Sequence, residues 1–295
     1  MKFGVRLPGA GPLATPEAIT AFAQKAEEVG FSSLWMPNHI ALPVKVETRY
    51  PYREDGKFFW PPEAPYLDTI LALTWASAAT TRIEVGPSAL VTAWHNPINV
   101  AKALATLDVL NHGRTILVVA VGWMKEQFDI LGAPFAERGA RCTEYVRLLK
   151  HLFTADTIDF HGRFFHYAGF KFYPKPERRP SMPIWIGGKS DATLRRVAAV
   201  GDGWHPLYLT PDEMAEKLRL LERYLDEQGR KLDEIYLSAR PVSQAPVTLE
   251  TTKRFGELGV QTLIWDPDFE HDRLDPVLVD LERMADTVIA HAARL

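Results

Sequence analysis

Short apolar runs alternate with amphipathic stretches along the chain, the pattern of parallel strands each followed by a helix. Lys2 to Leu7 opens the series as a strand. Thr15-Pro16-Glu17 then supplies an N-cap, a proline at the first helical position and an acid in the first turn. Ala18, Ile19, Phe22, Ala23, Ala26 and Val29 share one face of that helix, and Gly30 ends it. The same reading predicts strands at Phe31 to Met36, Arg82 to Leu90 and Arg114 to Val121, with helices at Leu67 to Ala79, Pro97 to Leu110 and Arg138 to Phe153. The ILVVAV run in the strand from Arg114 has no polar alternation, as expected of a parallel strand buried on both faces. Strands at Ile184 to Ile186, Gly203 to Pro206, Glu234 to Ala239 and Gln261 to Trp265 complete the set. Their helices are Ala192 to Val200, a capping-box helix from Thr210 to Glu227, Leu249 to Leu258, and Asp275 to Ala292.

Eight strand–helix units are the barrel number, so the expected fold is an α/β (β/α)8 TIM barrel, one domain over residues 1–295. A doubly wound open sheet is the alternative, but LPGAGP after the first strand is too short and proline-broken for a dinucleotide fingerprint. Two insertions exceed a minimal barrel. The first, Asn38 to Tyr66 after strand two, holds six aromatics (Tyr50, Tyr52, Phe58, Phe59, Trp60, Tyr66) and five prolines. Loops at the C-terminal ends of barrel strands form active sites, so this loop reads as the wall of an apolar pocket or as packing on the barrel rim. The second, Thr154 to Met182 before strand five, alternates Phe164, His166, Ala168 and Phe170, which predicts a hairpin covering the barrel mouth.

The stretch PIWIGGKSDATLRRVAAVGDGW, Pro183 to Trp204, places a buried strand, a glycine pair and Ser190 directly before a helix. Gly187 and Gly188 carry no Cβ to hold a ligand away from the backbone, and the first-turn N–H groups of the helix carry partial positive charge, so a phosphate fits there. Lys189, Arg195 and Arg196 are placed to add charge.

Composition narrows the class. With 295 residues, 46% hydrophobic, 24% charged and a net charge of −3, the chain is ordinary globular material, long enough to bury one large core, with no footprint for nucleic acid or a membrane surface. KFGVRL follows Met1 directly, without a signal peptide's regions, and no run of about 18 apolar residues occurs, so a cytoplasmic protein is expected. Cys142, the single cysteine, sits in a helical pattern and reads as structural. The nine histidines are scattered, without HExxH or CxxC spacing, so no metal is expected, and no GxSxG elbow occurs. A bound redox cofactor would carry the hard chemistry.

Taken together, SLWMPNHI, TTRIEVGPSALVTAWHNP, KALATLDVLNHGRTILVVAVGW, PFAERGARCTEYVRLLKHLF and PIWIGGKSDATLRRVAAVGDGW resemble the luciferase-like monooxygenase superfamily, within it the branch using the deazaflavin coenzyme F420. The resemblance implies a luciferase-like barrel with the cofactor ring at the C-terminal mouth. Asn38 and His39 match an Asp-His pair beside that ring; here the acid is an asparagine, and His39 is the better proton donor or acceptor. Ser88-Ala89 matches a non-proline cis dipeptide behind the ring. Asn96 is implied as both helix cap and cofactor neighbour. Gly122 and Trp123 match a GxGW-like turn with a flat apolar face, followed by Glu126 and Phe128. Ile186, Gly187, Gly188 and Ser190 are implied around the cofactor phosphate, and Tyr50, Phe59, Trp60 and Trp204, with His205 beside it, around the substrate. The activity implied is hydride transfer between F420 and an apolar or aromatic small molecule. The alternative is a monooxygenase fed with reduced FMN by a separate cofactor reductase. The resemblance also implies a homodimer.

Overall fold

The computed structural model describes residues 1–241, 247–269 and 272–292. In chain order the elements are β1 (Lys2–Arg6), α1 (Pro16–Glu28), β2 (Ser33–Met36), α2 (Thr69–Ala78), β3 (Glu84–Pro87), β4 (Leu90–Val91), α3 (Pro97–Leu110), β5 (Leu117–Ala120), α4 (Lys125–Ile130) and α5 (Arg138–Thr154). There follow β6 (Ile158–His161), β7 (His166–Phe170), β8 (Ile184–Gly187), α6 (Asp191–Val200), β9 (Gly203–His205), α7 (Pro211–Asp226), β10 (Tyr236–Ala239), α8 (Leu249–Glu257), β11 (Thr262–Trp265), α9 (Asp275–Met284) and α10 (Ala290–Ala292).

The barrel strands run in the order β3-β2-β1-β11-β10-β9-β8-β5-β4, and each pairing is parallel. The strand expected over Arg82 to Leu90 is broken at the Ser88–Ala89 cis peptide bond into β3, beside β2, and β4, beside β5. Val85 closes the ring, its N–H donating to Arg114 O at 2.9 Å and its carbonyl accepting from Ile116 N at 3.0 Å. The barrel is thus eight staves, one of them interrupted, with helices outside.

The helix starts follow the capping signals. Thr15 accepts from Ala18 N, Asn96 from Ile98 N and Asn99 N, and Ser190 from Thr193 N, while Thr210 and Glu213 form a reciprocal capping box. Strand residues alternate between two cores. Leu34, Val85, Leu117, Ile186, Trp204 and Leu263 face the helices, whereas Trp35, Ile116, Val118, Trp185 and Ile264 fill the barrel interior. Two indoles fit inside because glycines stand opposite: a Cβ on Gly4 would lie 2.4 Å from Trp35 Nε1, and one on Gly203 2.4 Å from Trp185 Cδ1. Tyr236 stacks on Trp185 at 4.5 Å to finish this floor.

The second insertion forms the expected hairpin, β6 against β7, but not at the mouth. Its turn lies on α5, where the Glu144 carboxylate accepts the N–H groups of Arg163, Phe164 and Phe165, each at 2.8 Å. The chain then crosses the N-terminal ends of the strands: Asp108 of α3 accepts from Glu177 N and Arg178 N, and Arg178 pairs with Glu84 at the start of β3. The reason is topological. A segment between a helix and the next strand lies where strands begin, so it seals the bottom of the barrel. The last helix also departs from expectation, with a π turn at Ala285–Ile289 dividing it.

Candidate active site

Four loops converge at the C-terminal mouth, and their backbone geometry follows from small residues placed where strands end. The loop after β2 starts with Asn38, which is 5% exposed. Its Oδ1 accepts from Val91 N at 3.1 Å and from His95 Nε2 at 3.0 Å, and its Nδ2 donates to Thr69 Oγ1 at 3.2 Å. Asn38 therefore joins β2 to β4 and α2 through its side-chain amide.

His39 lies among rings: Phe58 at 5.0 Å, Tyr66 at 5.1 Å and Trp94 at 6.2 Å. Its Nδ1 is 2.6 Å from Nε2 of Gln127 on α4. Burial in this apolar setting pulls its pKa down to about 4, against the opposing contact with Gln127, so the ring is neutral at neutral pH. Tyr50, 8% exposed, packs on Trp123 at 4.9 Å and on Phe58 at 5.6 Å, and Phe59, 46% exposed, leads on to Trp60, which lies across Gly11. The first insertion is thus an aromatic cover folded over His39 and Trp123. Glu126 of α4 anchors it, accepting Glu47 N and Thr48 N at 2.8 Å. Burial raises the pKa of this carboxyl, but its backbone N–H bonds outweigh that and keep it ionised.

Across the mouth, β8 ends in Gly187, where a Cβ would approach Ala89 Cβ at 3.3 Å. Gly188 has φ +118°, a conformation strained for any residue with a side chain, and there a Cβ would lie 3.0 Å from Thr193 Oγ1. Ser190 caps α6, and Asp191 and Ala192 follow with first-turn N–H groups that have no carbonyl one turn earlier in the helix. The Asp191 carboxylate is drawn aside by Arg195 and the Tyr224 hydroxyl. A phosphate-bearing cofactor fits this turn, and the Ser88–Ala89 bulge lies beside it.

Under the bulge runs a polar chain with each proton placed. Ser238 donates to Trp204 O at 3.2 Å, so its oxygen accepts from His205 Nδ1 at 2.8 Å, which leaves His205 Nε2 to accept from Ser88 Oγ at 2.8 Å. Ser88 in turn accepts from Arg240 Nη1 at 3.3 Å. His205 is fully buried, and burial first, then the Arg240 charge, hold its pKa down to about 3. Arg240 pairs with Asp266, with Nε at 2.8 and 2.9 Å and Nη2 at 2.7 Å, and Asp266 also meets Arg6 at 3.4 Å and the Tyr208 hydroxyl at 3.2 Å.

Among the sequence-derived candidates, Asn38, His39, Tyr50, Phe59, Trp60, Gly122 and Trp123 gather around the first insertion, and Ser88, Ala89, Gly187, Gly188 and Ser190 around the cradle. Three stand apart. Asn96 is exposed and spends its Oδ1 on capping α3. Ile186 packs in the outer core with its side chain toward the helices. Trp204 is corrected from pocket wall to support: on a strand where alternate residues face opposite ways, its indole points to the helix layer and donates to Gly188 O at 2.9 Å, with no exposed surface. Of the three cations expected around the cradle, Arg196 is spent on Gly139 O and Thr143, and Arg195 on Asp191 and Glu227. Lys189 alone remains by the mouth, donating to Tyr208 O. Gln127, Arg240, Asp266 and Tyr208 were not singled out from sequence; a charged residue directly after an apolar strand, as in LSAR and LIWD, was the available signal.

The architecture is that of a (β/α)8 enzyme barrel with its working face at the strand C-termini. The family model for luciferase-like monooxygenases matches residues 1–253, and the chain belongs to that family. An uncharacterized protein of Mycobacterium tuberculosis is 32% identical over 289 residues, covering 93% of this chain and 97% of that protein. An F420-dependent glucose-6-phosphate dehydrogenase of Amycolatopsis mediterranei is 30% identical over 196 residues, covering 64% of this chain and 53% of the dehydrogenase. Among solved structures, monooxygenase RslO1 from Streptomyces bottropensis superposes with a TM-score of 0.78 at 18% identity, over 99% of both chains. An F420-dependent secondary alcohol dehydrogenase gives 0.75 at 16%, and a type II Baeyer–Villiger monooxygenase of Pseudomonas putida with FMN gives 0.74 at 13%, each over 98% of both chains. At these identities the likeness extends to the fold. By its family membership the chain is an enzyme of the luciferase-like oxidoreductase and monooxygenase class, and the proteins it is similar to include F420-dependent dehydrogenases and a monooxygenase holding FMN. Among the described residues no helix is long and apolar enough to cross a membrane, and no cluster of metal-ligating side chains occurs.

Proposed function

We propose that the protein is an F420-dependent oxidoreductase, a cytoplasmic homodimer of one barrel domain over residues 1–295, acting on an apolar or aromatic small molecule. The observation that carries this reading is the turn at Gly187–Ser190 beside the Ser88–Ala89 bulge, facing an aromatic cover with His39 beneath it. Gly187, Gly188, Ser190 and the first-turn N–H groups of α6 hold the cofactor phosphate. Ser88 and Ala89 support the ring, Asn38 fixes the β2 and β4 ends around it, and Trp123 offers it a flat face. Tyr50, Phe59 and Trp60 exclude water from the substrate, and His39 meets its polar atom. When bound, reduced F420 supplies a hydride equivalent. The F420-dependent relative at 30% identity supports the choice of cofactor.

A second reading, a monooxygenase served with reduced FMN by a separate reductase, is favoured by one observation. Of the three cations expected around the cradle, Arg195 and Arg196 are engaged elsewhere, and Lys189 is the one left to guide the acidic tail by which F420 exceeds FMN. Calorimetric titration of the purified protein with F420 and with FMN, each oxidised and reduced, decides between them. Tighter binding of F420 is expected. Preference for reduced FMN establishes the second reading, and binding of neither removes both.

A further inference from the structure

Gln127 is fully buried against His39 at the floor of the first insertion. Its amide orientation is fixed by a contact other than the one to the His39 ring. The Ile40 N–H donates to Gln127 Oε1 at 3.3 Å, so the amide nitrogen is the atom that faces His39. That nitrogen has two hydrogens and two acceptors in reach, His39 Nδ1 at 2.6 Å and Met124 Sδ at 3.2 Å. An amide N–H cannot accept, so Nδ1 must. A neutral imidazole that accepts at Nδ1 carries its proton on Nε2.

We infer that Gln127 is a positioning residue that holds His39 as the Nε2–H tautomer, so that His39 enters the pocket as a hydrogen-bond donor and meets an acceptor oxygen of the ligand. The inference deepens the reading given under Proposed function and rests on it for the presence of a ligand at His39, but the tautomer belongs to the free protein. It narrows the substrate class to neutral apolar molecules presenting an acceptor, such as a carbonyl oxygen, toward His39. A ligand hydroxyl in need of a base finds none at Nε2 in this tautomer.

The groups around the ring leave the assignment to Gln127. The first insertion contributes Phe58 and the phenol of Tyr66, whose pKa burial raises, so it stays protonated. The turn after β4 contributes Trp94. On α4 the neighbouring Glu126 spends Oε1 on Glu47 N and Thr48 N. Burial keeps the imidazole neutral through the neutral range, which is the condition under which a tautomer has meaning.

Long-range 1H–15N NMR of the ligand-free protein, with His39 assigned by its loss in His39→Gln, reads the tautomer directly. An unprotonated, pyridine-type Nδ1 with a protonated Nε2 is expected, and the reverse pattern overturns the inference. In Gln127→Glu the carboxylate can only accept, so the proton moves to Nδ1 and the His39 pKa rises by one unit or more. In Gln127→Met, which keeps the volume without the amide, both tautomers appear. If both variants retain the wild-type pattern, Gln127 is not what sets it. Should Gln127→Glu fail to fold, the wild-type spectrum and Gln127→Met still decide. None of these readouts uses a cofactor, so their failure is separable from failure of the F420 titration.

Discussion

Replacing Asp266 by asparagine tests whether the ion pair beneath the bulge holds the upper barrel together. The side chains of Asp266 and Arg240 are only 4% and 6% exposed, and three close N···O contacts join them, with Arg6 and Tyr208 on the same carboxylate. Asparagine keeps the shape but removes the charge and turns an N–H toward the guanidinium, which leaves Arg240 buried without a counter-ion. Breaking a buried pair on one side costs about 3–5 kcal/mol. At about 2–4 °C per kcal/mol for domains near this size, the melting temperature falls by roughly 6–20 °C, read by differential scanning fluorimetry. Arg240→Met with Asp266→Leu leaves no unpaired Arg240 charge and should regain part of that loss, short of the whole because Arg6 and Tyr208 still lose their acceptor. A fall of less than about 2 °C in Asp266→Asn, or a double variant no more stable than the single one, refutes this account.

Stability should also fall on acidification before the carboxylates titrate. The folded protein excludes a proton from His205 down to about pH 3, while the unfolded chain takes one up near 6.5, so stability is full above pH 6.5 and declines below it, by roughly 2–3 kcal/mol at pH 4.5. A thermal melt series on His205→Asn should be flatter over that window, and an unchanged slope would sink the assignment. Gly188→Ala forces a side chain into φ +118° against Thr193, with an expected cost of about 1–3 kcal/mol in melting experiments and weaker binding of whichever cofactor the protein takes. Ser190→Ala removes the α6 cap for about 1 kcal/mol of stability and weakens cofactor binding about fivefold in the same titration; equal affinity would mean that the phosphate lies elsewhere.

Legibility followed the range of the interactions. The bounds of α3 were readable because Asn96 and Pro97 act on their immediate neighbours, and α7 because Thr210 and Glu213 cap each other across three residues. The break in the third strand was visible only through the resemblance at Ser88-Ala89, since both residues suit an ordinary strand end. The hairpin was readable from its alternation, whereas its place under the barrel depends on which side of the sheet the chain occupies after α5. Trp204 shows the same limit, because a tryptophan at a strand end can point inward or outward and only the register of β9 against β8 and β10 decides. The Arg240–Asp266 pair joins the ends of two strands 26 residues apart, a distance over which no local pattern carries information.

The barrel ring is fastened unevenly. Around the ring each stave pairs with its neighbours over two to four consecutive residues, but the interrupted stave meets β5 in two separate places, at Val85 before the break, with two backbone hydrogen bonds, and at Leu90 and Val91 after it. Local opening starts where few bonds must break together, so the amides of Val85 and Ile116 should exchange with solvent before those of Val5 or Val118. This latch lies three residues before Ser88. A barrel that loosens there alters the bed of the pocket while the rest of the ring stays shut, so temperature and neighbouring substitutions can change what the pocket accepts well before they unfold the protein.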